Sequence, residues 1–497
     1  MSYQKILPRD ENTDRTTNEY HYVPTSHETI RHDSVENLGY DWSRIADPGV
    51  AARPPFKVYL PRTTDDVVRA VRECQGAGVP LVVRGNGHSS NNLVTPEHGS
   101  LLLTAQLTRI VDVDEQAMTV TMQAGATLMS VDLLLSEQGL GLSIIGDHDH
   151  ITAAGFASVG GISPASHRFG MFVDTVTALE YVDWDGEVRR CGRESGTDDL
   201  MRLLCGTGRH GIITQLTVDV IRIDKFRTIY HNRRHLTADV DEFVRYSNRM
   251  IRDPGDAVME RGVWVDFPLP AGAALRVGQF SSYHTTGQSW YKSLVNDVAY
   301  GFQHFVGDWA GRLPTLLDDF TKYLGMACIM LSPTYAGMKN IERFTDQILD
   351  STVGDPTRMF VALAPVERYE SLFHQLYEVV SAERRRSGAI TFISVYVKSI
   401  RSPYLAGGDP DARFCELMLY VGVRPEKMTT GVQDRLVNRI DQLVAAAGAY
   451  RYLHSLTTTE PLLRDQIDPN SRYTRPAGRS GQSGDHHAEP AAAGSTW

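Results

Sequence analysis

The most informative residues for chemistry lie in a glycine-spaced loop that follows an apolar run and ends in a histidine. Glycine has no Cβ, so backbone N–H groups in such a loop can approach an anion closely. The loop therefore predicts a pyrophosphate-binding turn with a histidine at its mouth. The alternative from these residues alone is a tight turn at the end of a strand. The stretch reads Leu81-Val82-Val83-Arg84-Gly85-Asn86-Gly87-His88-Ser89-Ser90.

A second polar group is the run Asp147-His148-Asp149-His150. Four potential ligands in succession cannot all face one ion without contortion of the backbone. We therefore expect a polar loop here and no metal site.

Two further candidates are Tyr452 and His454, which share one face of a predicted strand because side chains alternate along it. His454 could act as a base or a hydrogen-bond donor, and the alternative is exposure on a closing strand. Lys398 ends another predicted strand. It could pair with an anionic substrate or a reduced cofactor, and the alternative is a solvated strand end.

Composition limits the possible classes of protein. The chain has 497 residues, 42% of them hydrophobic, and a formal net charge of −10. This length predicts two or three domains, and the acidic balance argues against nucleic acid or an anionic membrane as the main partner. No apolar run reaches about 18 residues, so we expect no membrane span. The start of the chain has no apolar segment typical of a secretory signal, which predicts a cytoplasmic protein.

Cysteine usage agrees with that location. The odd count and wide spacing predict reduced, mostly buried thiols, and neither a disulfide framework nor a zinc site. The five residues are Cys74, Cys191, Cys205, Cys328 and Cys415.

Apolar periodicity around the glycine loop predicts a β-α-β unit. Residues 57–60 and 81–83 are the expected strands, and a helix capped by Thr64 lies between them and stops at Gly76 and Gly78. The other predicted helices are 128–137, 198–204, 290–305, 316–324 and 432–447. The other predicted strands are 101–104, 110–113, 118–123, 177–183, 188–191, 212–220, 259–267, 274–283, 359–364, 390–398 and 414–421.

Three motifs in order resemble one known family. They are Arg84 to Ser89, the stretch Thr152 to Ser163 with Arg168-Phe169-Gly170 and Asp174-Thr175-Val176 after it, and Gly206 to Thr214. Over about residues 45–222 the chain resembles the vanillyl-alcohol-oxidase or PCMH-type FAD-linked oxidoreductases. It is most similar there to the cytokinin dehydrogenases and the aldonolactone and sugar-alcohol oxidases. Residues 448–454 resemble decaprenylphosphoryl-ribose oxidases.

This resemblance implies an α+β fold with a two-subdomain FAD-binding domain and an α+β substrate (cap) domain built on an antiparallel sheet. The expected divisions are a polar N-terminal arm (1–40), the FAD-binding PCMH-type domain (41–225), the cap domain (226–448), a return segment to the FAD domain (449–474) and a disordered tail (475–497).

The resemblance also implies FAD, bonded covalently through His88 to the flavin 8α-methyl; the alternative is a noncovalent flavin with His88 only hydrogen-bonded. Residues 144–150 contain no cysteine, so a second, cysteinyl link is not expected. The implied cofactor-binding residues are Arg84, Gly85, Asn86, Gly87, His88, Ser89, Asp147, Thr152, Ser158, Ile162, Ile213 and Tyr452.

For catalysis, the resemblance places Asp147 as the base, because a carboxylate near an apolar flavin face has a raised pKa. Tyr452 and His454 are the second candidates. Arg168 could touch the flavin phosphate or pack a loop. A set of aromatic residues could line a substrate pocket, although aromatics at strand spacing more often belong to the core. That set is Trp264, Phe267, Phe280 and Tyr283.

The expected function is oxidation of a C–OH or C–N centre of a small molecule by hydride transfer to flavin N5, with dioxygen or another acceptor reoxidising the flavin. The chain is expected to be a monomer or a homodimer. A close alternative is an oxidative cyclase of the berberine-bridge type in secondary metabolism. Two others are a flavin-binding protein without turnover and a sugar-nucleotide reductase that consumes NADPH.

Overall fold

The structure is a computed structural model. It describes residues 55–89, 93–95, 99–146, 151–223, 228–268, 274–310, 333–341, 357–406, 409, 411–452 and 454–455, together with 3–5, 22–24, 38, 463 and 466–467. The predicted polar loop 147–150 with Asp147, the helix 316–324 and the tail 475–497 lie outside the described residues. Within the predicted arm, β1 (Tyr3–Lys5) and β2 (Tyr22–Pro24) pair in antiparallel fashion.

A small parallel sheet carries the glycine loop. Its strands are β3 (Val58–Tyr59), β4 (Leu81–Arg84) and β5 (Ser100–Leu103), with β5 in the middle. The helix between β3 and β4 is α1 (Thr64–Ala77). The predicted β-α-β unit is therefore present.

The start of α1 differs from the prediction by one residue. Thr63, not Thr64, is its N-cap; the Thr63 hydroxyl accepts a hydrogen bond from the Asp66 amide, and the Asp66 carboxylate accepts one from the Thr63 amide. Gly78 ends the helix in the left-handed conformation, with φ +64°.

An antiparallel sheet follows, in the order β10-β9-β11-β7-β6, and β8 also pairs with β11. Its strands are β6 (Ile110–Asp114), β7 (Thr119–Gln123), β8 (Leu140–Leu142), β9 (Val176–Val182), β10 (Val188–Gly192) and β11 (Ile212–Arg222). The accompanying helices are α2 (Leu128–Ser136), α3 (Ala153–Val159), α4 (Ser166–Phe169), α5 (Phe172–Thr175) and α6 (Thr197–Leu203). Of these helices, α3, α4 and α5 were not predicted.

The second half of the chain forms an eight-stranded antiparallel sheet. Its strands are β12 (Tyr230–Thr237), β13 (Met259–Pro268), β14 (Ala274–Thr285), β15 (Tyr335–Ala336), β16 (Thr357–Pro365), β17 (Ile390–Ile400), β18 (Phe414–Val423) and β19 (Tyr450–Arg451). The spatial order is β15-β12-β14-β13-β17-β18-β16-β19. An α+β chain with antiparallel sheets is therefore confirmed.

Several helices accompany this large sheet. They are α7 (Val240–Arg252), α8 (Trp290–Ala310), α9 (Met338–Ile341), α10 (Tyr369–Ser387), α11 (Pro403–Ala406) and α12 (Thr430–Ala446). Three of them, α7, α10 and α12, cover one face of the sheet and share a buried apolar cluster with its alternate residues, such as Val395 and Leu417. Residues of α9 and α11 belong to the cluster on the opposite face. No helix in the described part of the chain has both the length and the apolar character needed to span a bilayer.

The opposite face of the sheet packs on the first half of the chain. One apolar cluster includes Leu179 of β9, Val361 of β16 and Ile400 of β17. Asp174, at the start of α5, accepts hydrogen bonds from the Met171 amide at 2.7 Å and the Tyr404 amide at 2.9 Å. Burial raises the pKa of Asp174 to about 6. This carboxyl group thus ties the two halves together.

Two further buried acids belong to the framework. Glu260, on β13, is fully buried, and its Oε1 accepts a hydrogen bond from the Ser399 hydroxyl. Burial raises the pKa of Glu260 to about 8. Arg451 and Asp441 form an ion pair at 2.9 Å with both side chains fully buried, which joins β19 to α12.

Candidate active site

The loop after β4 is built so that its backbone lies close to its neighbours. A Cβ at Gly85 would overlap the Thr152 hydroxyl, and one at Gly87 would lie 2.7 Å from Arg84 Cζ. Gly87 also has φ +75°, a conformation that other residues rarely adopt. Arg84 is 2% exposed and packs under the loop. Both glycines are therefore required by the geometry of this turn.

Helix α3 and the segment after α6 form the adjoining wall. The Cys205 amide donates to Ala157 O at 2.9 Å, and the Thr207 amide donates to Ser158 O at 3.0 Å. Cys205 and Thr207 have φ +53° and +51°, which costs a residue with a side chain roughly 1–3 kcal/mol. The segment is thus held in a strained conformation by its bonds to α3.

These walls enclose a cavity of about 270 Å³. The structure brings together in it nearly all of the predicted site residues that it describes. Those lining the cavity are Gly85, Asn86, Gly87, His88, Ser89, Thr152, Ser158, Ile162, Ile213, Tyr452 and His454. Arg84 does not line it, and Asp147 lies outside the described residues, although Gly146 and Ile151 on either side of that gap do line it.

The residues of the first half suit an anionic cofactor such as FAD. The Ser89 hydroxyl is buried at the cavity and has no hydrogen-bond partner among the described residues. Gly85 and Gly87 leave the loop backbone open to close approach. A pyrophosphate accepts hydrogen bonds, and the buried hydroxyl and the accessible backbone N–H groups can donate them.

Tyr452 lies at the boundary between the two halves of the chain, referred to below as the seam. The Gly161 amide donates to Tyr452 Oη at 2.8 Å, and the Tyr452 amide donates to Val361 O at 3.1 Å. The rings of Tyr452 and His454 lie 4.4 Å apart at 79°. The strand β19 ends at Arg451, before these residues, yet both line the cavity. The alternative of an exposed His454 is therefore wrong.

The large sheet supplies the remaining wall. Lys398 on β17 and Glu416 on β18 both line the cavity, and their Nζ and Oε2 atoms are 3.4 Å apart. The Lys398 side chain is 5% exposed and the strand continues to Ile400, so a solvated strand end is wrong. Sequence reasoning missed Glu416. The only trace of it in the sequence is one charged residue within the otherwise apolar run of 414–421, which does not name a partner.

The predicted aromatic pocket residues belong to the core instead. Trp264, Phe267, Phe280 and Tyr283 are at most 1% exposed, and none of the four lines the cavity. This outcome confirms the alternative stated for them above.

The residues after α3 are also structural. Arg168 is exposed, and its guanidinium lies 5.4 Å from the centre of the Phe169 ring. His167 is buried with its Nε2 3.0 Å from Ala257 O. Burial lowers the pKa of the His167 imidazole.

Comparisons with known proteins agree with this description. The family described as FAD binding domain matches residues 55–192. An uncharacterized oxidoreductase encoded in the fasciation locus of Rhodococcoides fascians is 30% identical over 169 residues, which are 34% of this chain and 38% of that protein. Cytokinin dehydrogenase 5 of Arabidopsis thaliana is 26% identical over 254 residues, 48% of this chain and 45% of that protein.

A third relative is glycolate oxidase subunit GlcD of Bacillus subtilis, 25% identical over 255 residues, 46% of this chain and 53% of that protein. The chain thus spans between about a third and about half the length of these relatives. The family match includes the glycine loop and ends at the last residue of β10. This chain therefore carries an FAD binding domain and is a relative of the PCMH-type FAD-linked oxidoreductases.

Proposed function

We propose that this chain is an FAD-dependent oxidoreductase that oxidises a C–OH or C–N centre of a small molecule. When bound, FAD would accept the hydride at N5, a residue of the site would accept the proton, and dioxygen or another acceptor would remove the electrons. The observation that carries the proposal is the single cavity on which the glycine loop, the Tyr452–His454 pair and the polar wall of the large sheet converge. The matched FAD binding domain supplies the cofactor wall of that cavity.

Under this proposal, the backbone of Gly85 to Ser89 and the Ser89 hydroxyl bind the pyrophosphate. We also propose that His88 is the covalent attachment point. Its imidazole nitrogen would bond to the 8α-carbon as that methyl and the imidazole each lose a proton, and the two electrons would remain on the flavin until the acceptor removes them. The position of His88 on the cavity supports this role. Attachment would prevent loss of the cofactor. The alternative is a His88 that only hydrogen-bonds a noncovalent flavin.

We propose two candidates for the proton transfer, of which Asp147 lies outside the described residues. Asp147 stays the proposed base. His454 is the second candidate, since its ring lines the cavity beside Tyr452. Tyr452 accepts a hydrogen bond from the Gly161 amide, which suits a residue that positions its neighbours and shields the cavity from water.

We further propose that the first half binds FAD and the second half binds the substrate. Residues 41–225 form a two-subdomain FAD-binding unit, residues 226–448 form the cap that binds substrate, and residues 449–474 return to the FAD unit. Contacts of Asp174 and Tyr452 across the seam support this arrangement. Substrate and electron acceptor are the expected partners of a monomer or homodimer.

The direct test is anaerobic addition of alcohols and amines to the purified, flavin-loaded protein. We expect at least one compound to bleach the visible flavin absorbance and oxygen or another acceptor to restore it. A His454→Phe variant should bleach about 100-fold or more slowly if His454 moves the proton. Flavin that no compound bleaches would favour the non-turnover protein, and bleaching by NADPH alone would favour the reductase.

A further inference from the structure

A pair of opposite charges is buried in the wall of the cavity that the large sheet supplies. Lys398 and Glu416 are directly opposite each other in the antiparallel pairing of β17 and β18. Their side chains are 5% and 4% exposed, and both line the cavity. A buried charge is tolerated when an opposite charge accompanies it. This part of the wall therefore presents a cation and an anion side by side with no net charge.

Each group can make more hydrogen bonds than the contact with the other, because an ammonium has three donors and a carboxylate has two acceptor oxygens. The Nζ–Oε2 separation of 3.4 Å is longer than the roughly 2.7–2.9 Å of a tight charge-assisted hydrogen bond. Along the same face, Tyr396 lies opposite Met418. Both of these residues also line the cavity, so the charged pair is bordered by a mixed apolar and phenolic surface.

The two charges impose different costs on different ligands. A carboxylate would gain from Lys398 and be repelled by Glu416, and an alkylammonium would meet the reverse. A hydroxyl is both a donor and an acceptor, whereas a carboxylate only accepts and an ammonium only donates. Of these three groups, only the hydroxyl can accept from Lys398 and donate to Glu416 without adding a charge to the wall.

We propose that the Lys398–Glu416 pair determines specificity by charge, selecting a substrate with an uncharged hydroxyl that accepts from Lys398 and donates to Glu416. This inference rests on the proposed function in one respect, that the cavity binds the substrate. It narrows the expected substrates to uncharged compounds that carry a hydroxyl. It also means that Lys398 forms a neutral pair with Glu416 and does not bind an anionic substrate.

The test is binding of three probes that share a ring and differ in charge: benzyl alcohol, benzoate and benzylammonium. Dissociation constants are measured from perturbation of the flavin spectrum in the protein as purified. We expect the wild type to bind benzyl alcohol at least about tenfold more tightly than either charged probe. Similar affinities for all three would overturn the proposal.

Two variants reverse the preference if the reasoning is right. Glu416→Gln leaves Lys398 uncompensated, so benzoate should gain at least about tenfold in affinity. Lys398→Met should do the same for benzylammonium. The exchanged pair Lys398→Glu with Glu416→Lys keeps a net charge of zero, so it should retain the preference for the alcohol. It also remains informative should either single variant fail to fold.

A matched control is Arg451→Met, which breaks a buried ion pair whose members do not line the cavity. It should leave the order of the three probes unchanged. A change in probe order in Arg451→Met, or an unchanged order in both single variants, would contradict the proposal.

If the probe pattern holds but no compound bleaches the flavin, the proposed function fails and the charge-selective wall stands. If alcohols and amines both bleach it and the pattern is absent, this inference alone fails.

Discussion

Replacement of Tyr452 by phenylalanine separates a structural from a chemical role for this tyrosine. The residue is 5% exposed, and its Oη accepts a hydrogen bond from the Gly161 amide at 2.8 Å. Phenylalanine keeps the ring, which contacts Gly160 and His454. The variant therefore removes one acceptor and leaves a buried N–H group without a partner.

The magnitude follows from that loss. A buried donor left unsatisfied costs about 1–3 kcal/mol. We expect the free energy of unfolding of Tyr452→Phe, from denaturant titration, to be lower than that of the wild type by this amount. The bond also holds the Gly160–Gly161 turn against the return segment, so the variant should retain less flavin on purification.

Tyr450→Phe is the control, because Tyr450 is on the adjoining strand and packs its ring 5.8 Å from that of Phe414. It should change the free energy of unfolding by less than about 0.5 kcal/mol. The reasoning is refuted if Tyr452→Phe unfolds like the wild type while bleaching of the flavin slows 100-fold. That result would make the Tyr452 hydroxyl a proton-transfer group and not a clamp.

The remaining predictions concern buried charges and the glycine loop. The Glu260 pKa rises from 4.5 to about 8 on folding, so the stability that this group contributes is present below pH 4.5 and is lost as the pH rises toward 8. Unfolding titrations across this range should show the wild type losing up to about 1.4 kcal/mol per pH unit relative to Glu260→Gln. Arg451→Met removes the cation of a fully buried ion pair with Asp441, and should lower the free energy of unfolding by about 3–5 kcal/mol. Gly87→Ala should lower it by at least about 1–2 kcal/mol, because alanine is strained at φ +75° and its Cβ would displace Arg84.

Each of these has a control. Equal pH profiles for the wild type and Glu260→Gln would show that Glu260 ionises normally. Adding Asp441→Leu to Arg451→Met should recover most of the lost stability, and no recovery would contradict the pairing argument. Gly139 has φ +69° with nothing within 4 Å of its Cβ position. Gly139→Ala should therefore show only the cost of the backbone strain. If it lowers the free energy of unfolding as much as Gly87→Ala does, the overlap with Arg84 contributes nothing.

Periodicity allowed much of the fold to be predicted, and tertiary contacts explain what was missed. Helix α1 shows buried residues at helical spacing, and its start was misplaced only by one residue. Helix α3 is only seven residues long and has a glycine at 155, so it is too short to be stable on its own. It is stabilised instead by bonds from outside, such as that from the Cys205 amide to Ala157 O. Helix α10 was overlooked although its apolar residues have clear helical spacing.

The two walls of the site differ in how much of each could be predicted from the sequence. The glycine loop is contiguous, and its chemistry depends on residue types that stand side by side in the chain. The opposite wall depends on the register of β17 with β18, which alone places Lys398 beside Glu416. Register is set by packing of both sheet faces and cannot be read from either strand alone. Glu416 was therefore invisible as a partner until the pairing was known.

The measurement that tests the account most directly is the fate of the yellow colour when the purified protein is precipitated with acid. Of the described residues, two histidines, His88 and His454, line the cavity, and we assign the covalent bond to His88 alone. We predict that the colour stays in the pellet for the wild type and for His454→Ala and is absent from the pellet of His88→Ala. Colour released to the supernatant from the wild type would contradict the covalent bond, and a protein that binds no flavin would contradict the assignment of the cavity to FAD.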